Sequence, residues 1–325
     1  MSPARSLARC APFVASLLLL TGCGESTMTG TDAGTTPAGD SGTTPGTDGG
    51  GGMADAGAMT GLPRMIGPAD RPAQLVTPTA HDGVTALPVL VLLHGYGASG
   101  SIQDGYLGLS REARDRGVYM IIPDGTTDTS GRRFWNATPA CCDFGPTGVD
   151  DVAYITGLLD ELEGMAPVSD ILFMGHSNGG FMSYRMACEL APRISAIASL
   201  AGSDYANETD CEPSQPVSVL QIHGDLDETI GYAGVAGAYP SAPDAVARWA
   251  GRAGCDATSA SGDALDLETS LAGAETTVER YTAGCGDAEA ELWTIEGGGH
   301  IPSITDAFAP SLFDWLLAHR RSTSP

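Results

Sequence analysis

Apolar runs that stop at glycine constrain this chain more than any other feature: "LPVLVLLHGYG" (87–97), "VYMIIPDG" (118–125), "DILFMG" (170–175), "ISAIASLAG" (194–202) and "PVSVLQIHG" (216–224). None shows the apolar and polar alternation of a strand with one wet face. Each therefore reads as a strand buried on both sides, as a parallel sheet requires. Helical patterns lie between them. "GVDDVAYITGLLDELEGM" repeats Val152, Ile155, Leu158, Leu159 and Leu162 at helical spacing, with Asp150 or Asp151 placed to cap it. "YLGLSREARDRG" reads as a helix closed by Gly117, and "GGFMSYRMACELA", "APDAVARWAGRAG" and "TDAFAPSLFDWLLAHR" supply further helices around a late strand, "AELWTIEG". Such alternation gives an α/β fold with a mostly parallel central sheet and helices on both faces. Functional loops in that architecture gather at the carboxyl ends of the strands.

The N-terminal end has a different composition. Arg5 and Arg9 precede "APFVASLLLL", an apolar core too short to span a bilayer, so residues 1–22 read as a secretory signal. The stretch Leu20-Thr21-Gly22-Cys23, which begins on the last leucine of that core, resembles the bacterial lipobox, which makes Cys23 the lipidated first residue of the mature chain. Residues 23–61 are almost wholly Gly, Thr, Ala, Asp and Pro, without an aromatic side chain. A stretch like that cannot bury enough apolar surface to order itself and reads as a disordered tether. The globular domain then occupies 62–325. The expectation is an exported protein, held by its N-terminal lipid at the outer membrane or cell surface or released from it.

Charge and cysteines narrow the partners. Sixteen basic residues, all Arg, face 40 acidic ones for a net charge of −24. That leaves no basic footprint for nucleic acid and disfavours a strongly anionic substrate. Besides Cys10 in the signal and Cys23, six cysteines remain: Cys141, Cys142, Cys188, Cys211, Cys255 and Cys285. An even count in an exported chain points to three disulfides. No CxxC pair or close Cys/His cluster offers metal-ligand spacing. A monomer without metal or organic cofactor is expected.

The chemistry centres on "ILFMGHSNGG". Gly175-His176-Ser177-Asn178-Gly179 matches G-x-S-x-G between a strand and a helix, the setting of a nucleophile elbow. A serine hydroxyl needs a base, and the base needs an orienting carboxylate, in the chain order Ser, acid, His for this architecture. His300 in "IEGGGHIP" follows a strand and is the favoured base over His319 in the closing helix. The acid falls in "VLQIHGDLDETI", where position leaves Asp225, Asp227 and Glu228 open. "LLHGYG" places the Tyr96 N–H, and the elbow the Asn178 N–H, for an oxyanion hole. His94, His176 and His223 read as packing and turn residues, since a triad uses one base.

In combination these motifs resemble the polyhydroxybutyrate depolymerase and feruloyl esterase group of secreted α/β-hydrolases. The resemblance runs through "FWNATPACCDF", "VDDVAYITGLLDEL", "GHSNGGFMSYRMACELAP", "PVSVLQIHGDLDETIGY", "WAGRAGC" and "IEGGGHIP". It implies an α/β-hydrolase fold and a serine esterase acting on feruloyl-polysaccharide or polyester substrates. The family's H-G-x-x-D pattern falls on His223 to Asp227 and selects Asp227 as the acid, and its G-G-G-H pattern falls on Gly297 to His300. The resemblance also pairs Cys255 with Cys285 and leaves the other four cysteines open. Tyr96 and Trp135 are candidates to wall an acyl or aromatic pocket, with a buried Trp135 that serves only the core as the alternative. The tryptophan that commonly follows the family's histidine is missing from "HIPSITD". The rival readings are a peptidase or amidase using the same triad and a non-catalytic surface binding protein.

Overall fold

The computed structural model describes residues 61–321. The signal, lipidation and tether readings for residues 1–60 lie outside it. Ten strands form one sheet in the order β1-β2-β4-β3-β7-β8-β9-β12-β11-β10. In chain order they are β1 (Met65–Ile66), β2 (Ala73–Val76), β3 (Leu87–Leu93), β4 (Tyr119–Ile122), β7 (Val168–His176), β8 (Ile194–Leu200), β9 (Ser218–Gly224), β10 (Ala260–Ser261), β11 (Thr276–Tyr281) and β12 (Ala290–Ile295). β5 (Thr126–Thr127) and β6 (Arg133–Phe134) pair as a separate small hairpin. The run from β4 through β3, β7, β8 and β9 to β12 is parallel, and short antiparallel strands close both edges.

The continuous apolar runs divide between two cores because strand side chains alternate. Val89, Val91 and Leu93 of β3 pack on one face with α3 (Asp151–Met165), α4 (Asn178–Glu189) and α5 (Ala242–Arg252). Leu90 and Leu92 pack on the other with α1 (Gly100–Leu107), α2 (Leu109–Asp115) and α6 (Phe308–Ala318). Asp150 caps α3, its carboxylate accepting from the Ala153 N–H at 2.9 Å. No helix among the described residues is long and apolar enough to cross a membrane.

One helix differs from the sequence reading. "YLGLSREARDRG" is not a single helix: Gly108 takes φ 68° and ends α1, and α2 restarts at Leu109. The left-handed turn exposes the Gly108 N–H to the Asp104 carbonyl at 2.7 Å, which caps the first helix. The reading also missed α1 itself, whose "GSIQDGYL" lacks a wide apolar stripe and is set by the Ser99 cap and by packing on β3 and β4.

Disulfides join Cys141 to Cys142, Cys188 to Cys211 and Cys255 to Cys285. The second ties the end of α4 to the loop after β8, and the third ties the end of α5 to the loop before β12.

Candidate active site

The elbow forms because two backbones nearly touch. A Cβ on Gly175 would overlap the Gly179 carbonyl, and a Cβ on Gly179 would overlap the Leu93 carbonyl of β3. Glycine at both positions lets β7 turn directly into α4. Between them Ser177 holds φ 54° and ψ −118°, a strained conformation for a residue with a side chain. Its N–H is tied to the Leu200 carbonyl at 2.8 Å, and its hydroxyl makes no capping bond to α4.

That hydroxyl lies 3.0 Å from His300 Nε2, and His300 Nδ1 lies 2.7 Å from Asp227 Oδ2. Ser177, Asp227 and His300 come from the ends of β7, β9 and β12, neighbours in the sheet apart from the intervening β8. Ser177 is 8% exposed. Burial alone would raise the Asp227 pKa. Hydrogen bonds from His223, His300 and the Ile230 N–H reverse this and hold its carboxyl well below the ordinary range.

The other two acidic candidates have different places. Asp225 is exposed and accepts the Gly297 N–H at 2.6 Å, fixing the glycine turn that leads to His300. Glu228 is exposed. His319 caps the far end of α6, stacked on Trp315 and bonded to Glu289 at 3.2 Å, before the start of β12.

The N–H groups of Tyr96 and Asn178 have no acceptor among the described residues. Their neighbours do: Gly95 N–H donates to Gln103 Oε1 at 3.1 Å and Gly97 N–H to the Arg133 carbonyl at 2.8 Å. Asn178 also begins α4, so its N–H carries the positive end of the helix dipole.

Trp135 requires a correction. As a pocket wall it would need exposed surface and it has none, so the alternative reading of a buried tryptophan is the one that fits, with the ring standing behind the site. Its Nε1 donates to the His94 carbonyl at 3.0 Å, its N–H donates to Asn178 Oδ1 at 2.7 Å, and its carbonyl accepts from Asn178 Nδ2 at 2.9 Å. An indole serves both as apolar filler and as donor, and here the buried carbonyl takes the donor inward. Tyr96, the other candidate wall, is half-buried, with its hydroxyl on Asp128 at 2.6 Å and its ring against the exposed Phe144.

The remaining histidines support the loops. His94 donates from Nδ1 to the Gly95 carbonyl and accepts the Gly125 N–H at Nε2, both at 2.8 Å, and burial pushes its pKa down to about 4. His176 donates from Nε2 to the His300 carbonyl at 3.0 Å, and burial pushes it down to about 4 as well. His223 stands 3.2 Å from the Asp227 carboxylate, a contact that the sequence reading missed. A signal was present: Gln221 and His223 share one face of an otherwise apolar strand, and buried polar groups need partners.

No protein-family model matches the chain. Among curated proteins it is similar to NocK of Nocardia uniformis subsp. tsuyamanensis, which carries an esterase name, at 32% identity over 154 residues, 46% of this chain and 43% of that protein. It is also similar to feruloyl esterase B of Piromyces equi, at 28% identity over 237 residues, 69% of this chain and 41% of that protein. The chain thus spans about two-fifths of the length of these relatives. Among solved structures it is similar to an acetyl xylan esterase from Aspergillus awamori, with TM-score 0.53 and 16% identity over 78% of this chain and 97% of that one. The chain is therefore an α/β-hydrolase by fold, related in sequence to proteins named esterase and feruloyl esterase.

Proposed function

We propose that this chain hydrolyses carboxylic esters through an acyl-enzyme on Ser177. The observation that carries the reading is the unbroken path Ser177, His300, Asp227, at 3.0 and 2.7 Å, together with two N–H groups, of Tyr96 and Asn178, that have no acceptor among the described residues. His300 Nε2 takes the hydroxyl proton as Ser177 Oγ attacks the carbonyl carbon. Asp227 holds the Nδ1–H and stabilises the imidazolium that forms. The tetrahedral oxygen carries its charge against the Tyr96 and Asn178 N–H groups. Collapse expels the alcohol, which takes the proton from His300, and water then repeats the sequence on the acyl-serine to release the acid.

As substrates we favour phenolic or acetyl esters of plant-wall polysaccharide over polyester chains, since feruloyl and acetylxylan esterase names recur among the relatives. Three disulfides suit an oxidising compartment, and the lipidation of Cys23 expected from the sequence would fit action at the cell surface.

The test compares wild type with Ser177→Ala on methyl ferulate, an acetylated xylan oligomer and a soluble 3-hydroxybutyrate oligomer. Wild type is expected to turn over at least one of the first two, and the substitution to remove at least about 10³-fold of kcat. Folded wild-type protein that cleaves a matched amide but none of the esters would transfer the triad to an amidase. Turnover that survives in Ser177→Ala would remove the mechanism.

A further inference from the structure

Asp227 is bonded more fully than a triad acid with one histidine requires. Its Oδ1 accepts the N–H groups of Thr229 and Ile230 at 2.8 and 2.9 Å. Its Oδ2 lies 2.7 Å from His300 Nδ1 and 3.2 Å from His223 Nε2. His223 sits in β9 and is 1% exposed, with the Tyr232 ring edge-on at 5.7 Å.

Chemistry places the proton on His223. Gln221 Nε2 lies 2.9 Å from the Gly202 carbonyl and 3.0 Å from His223 Nδ1, and Gln221 Oε1 lies 2.9 Å from the Tyr184 hydroxyl. A carbonyl only accepts, so the Gly202 contact fixes which end of the amide is nitrogen. The second amide proton then points at His223 Nδ1, which must accept it. A neutral imidazole in that position carries its own proton on Nε2, shared between the Ile230 carbonyl at 2.8 Å and Asp227 Oδ2.

We propose that His223, in the Nε2–H tautomer set by Gln221, is a positioning residue that aims Asp227 at His300. The inference rests on the serine-hydrolase reading above. The path begins at Tyr184 on α4, the helix that Ser177 opens, and runs through two side chains of β9 to the acid. Tyr184, Gln221 and His223 are each no more than 1% exposed. Water does not compete for these bonds, so the path fixes the acid relative to the nucleophile's helix. It acts on the carboxylate as an outer hydrogen-bond partner acts on a ligating histidine, by limiting rotation of the group that does the orienting.

The experiment uses the full-length protein and the variants His223→Phe, His223→Gln and Gln221→Leu. Glutamine reaches the Nε2 position with an N–H, whereas phenylalanine fills the volume without a donor. For p-nitrophenyl acetate, His223→Phe is expected to lower kcat about 10- to 100-fold with KM within about twofold, and His223→Gln to recover most of that loss. Nitrogen-15 spectra of the histidines at about pH 8, above the ordinary imidazole pKa of about 6.5, read the tautomer directly. Wild-type His223 is expected to be protonated on Nε2 alone, Gln221→Leu to mix its tautomers, and His223→Phe to move the His300 Nδ1 proton resonance upfield.

Wild-type His223 protonated on Nδ1 would overturn the proposal. So would a His223→Phe enzyme with unchanged kcat, or one in which the His300 proton resonance stays in place. Turnover that persists in Ser177→Ala would instead defeat the esterase reading. The histidine spectra would in that case still decide whether His223 aims Asp227 at His300.

Discussion

Trp135 joins the two halves of the proposed oxyanion hole. Its indole N–H holds the His94 carbonyl, two residues before Tyr96, while its backbone clasps the Asn178 amide from both sides. Replacing it with phenylalanine keeps the ring in the core and deletes one hydrogen bond, leaving a buried carbonyl without its donor. Trp135→Phe is expected to lose about 1 to 3 kcal/mol of stability and, because the Tyr96 N–H then drifts, about tenfold in kcat with little change in KM. Urea unfolding and steady-state kinetics on an aryl ester measure the two effects. Wild-type kcat in the less stable protein would reduce Trp135 to a core residue.

Among the elements, the turn from β7 to α4 is the least tolerant of change. The added methyl of Gly179→Ala would meet the Leu93 carbonyl of β3, and backbone in the middle of a sheet has nowhere to move. Gly157 in the exposed face of α3 is the contrast: nothing among the described residues lies within 4 Å of a Cβ built there. Gly179→Ala is expected to destabilise by about 3 kcal/mol and to abolish turnover, whereas Gly157→Ala gains about 0.5 to 1 kcal/mol from helix propensity alone. Thermal unfolding of both proteins checks the signs. A stable, active Gly179→Ala would mean that the elbow does not depend on this close approach.

For the whole molecule, pH sensitivity follows from buried histidines. His94 and His176 have folded pKa values of about 4, well under the ordinary 6.5, so the unfolded chain takes up protons first as the solution is acidified. Stability is expected to fall between about pH 6.5 and 4, with a slope approaching 1.4 kcal/mol per pH unit for each histidine. Asp227, whose folded pKa is depressed, adds a loss in the same direction below about pH 4. Asp151 and Asp204 oppose the trend, because burial raises their folded pKa and acid then favours the folded state. Urea midpoints measured from pH 7 to 4.5 should decline, and the slope should flatten in His94→Asn and His176→Asn proteins. A midpoint independent of pH over that range would contradict the histidine burial.

The sequence by itself determined the architecture and the strand ends that matter. Continuous apolar runs are stable only inside a covered parallel sheet, and a glycine on each side of Ser177 suits only a turn too tight for a Cβ. Position alone left three carboxyl groups open in "GDLDE", and only the family resemblance chose Asp227 among them. The tertiary structure separated them, because the same turn exposes Asp225 and Glu228 and buries Asp227 beside His300. It also turned Trp135 inward, broke α1 from α2 at Gly108 and joined Cys141 to Cys142 and Cys188 to Cys211. The physical reason is common to these cases. Periodicity records which face of an element is apolar, whereas a hydrogen bond between His223 and Asp227, or between Trp135 and His94, depends on where separate segments meet in space.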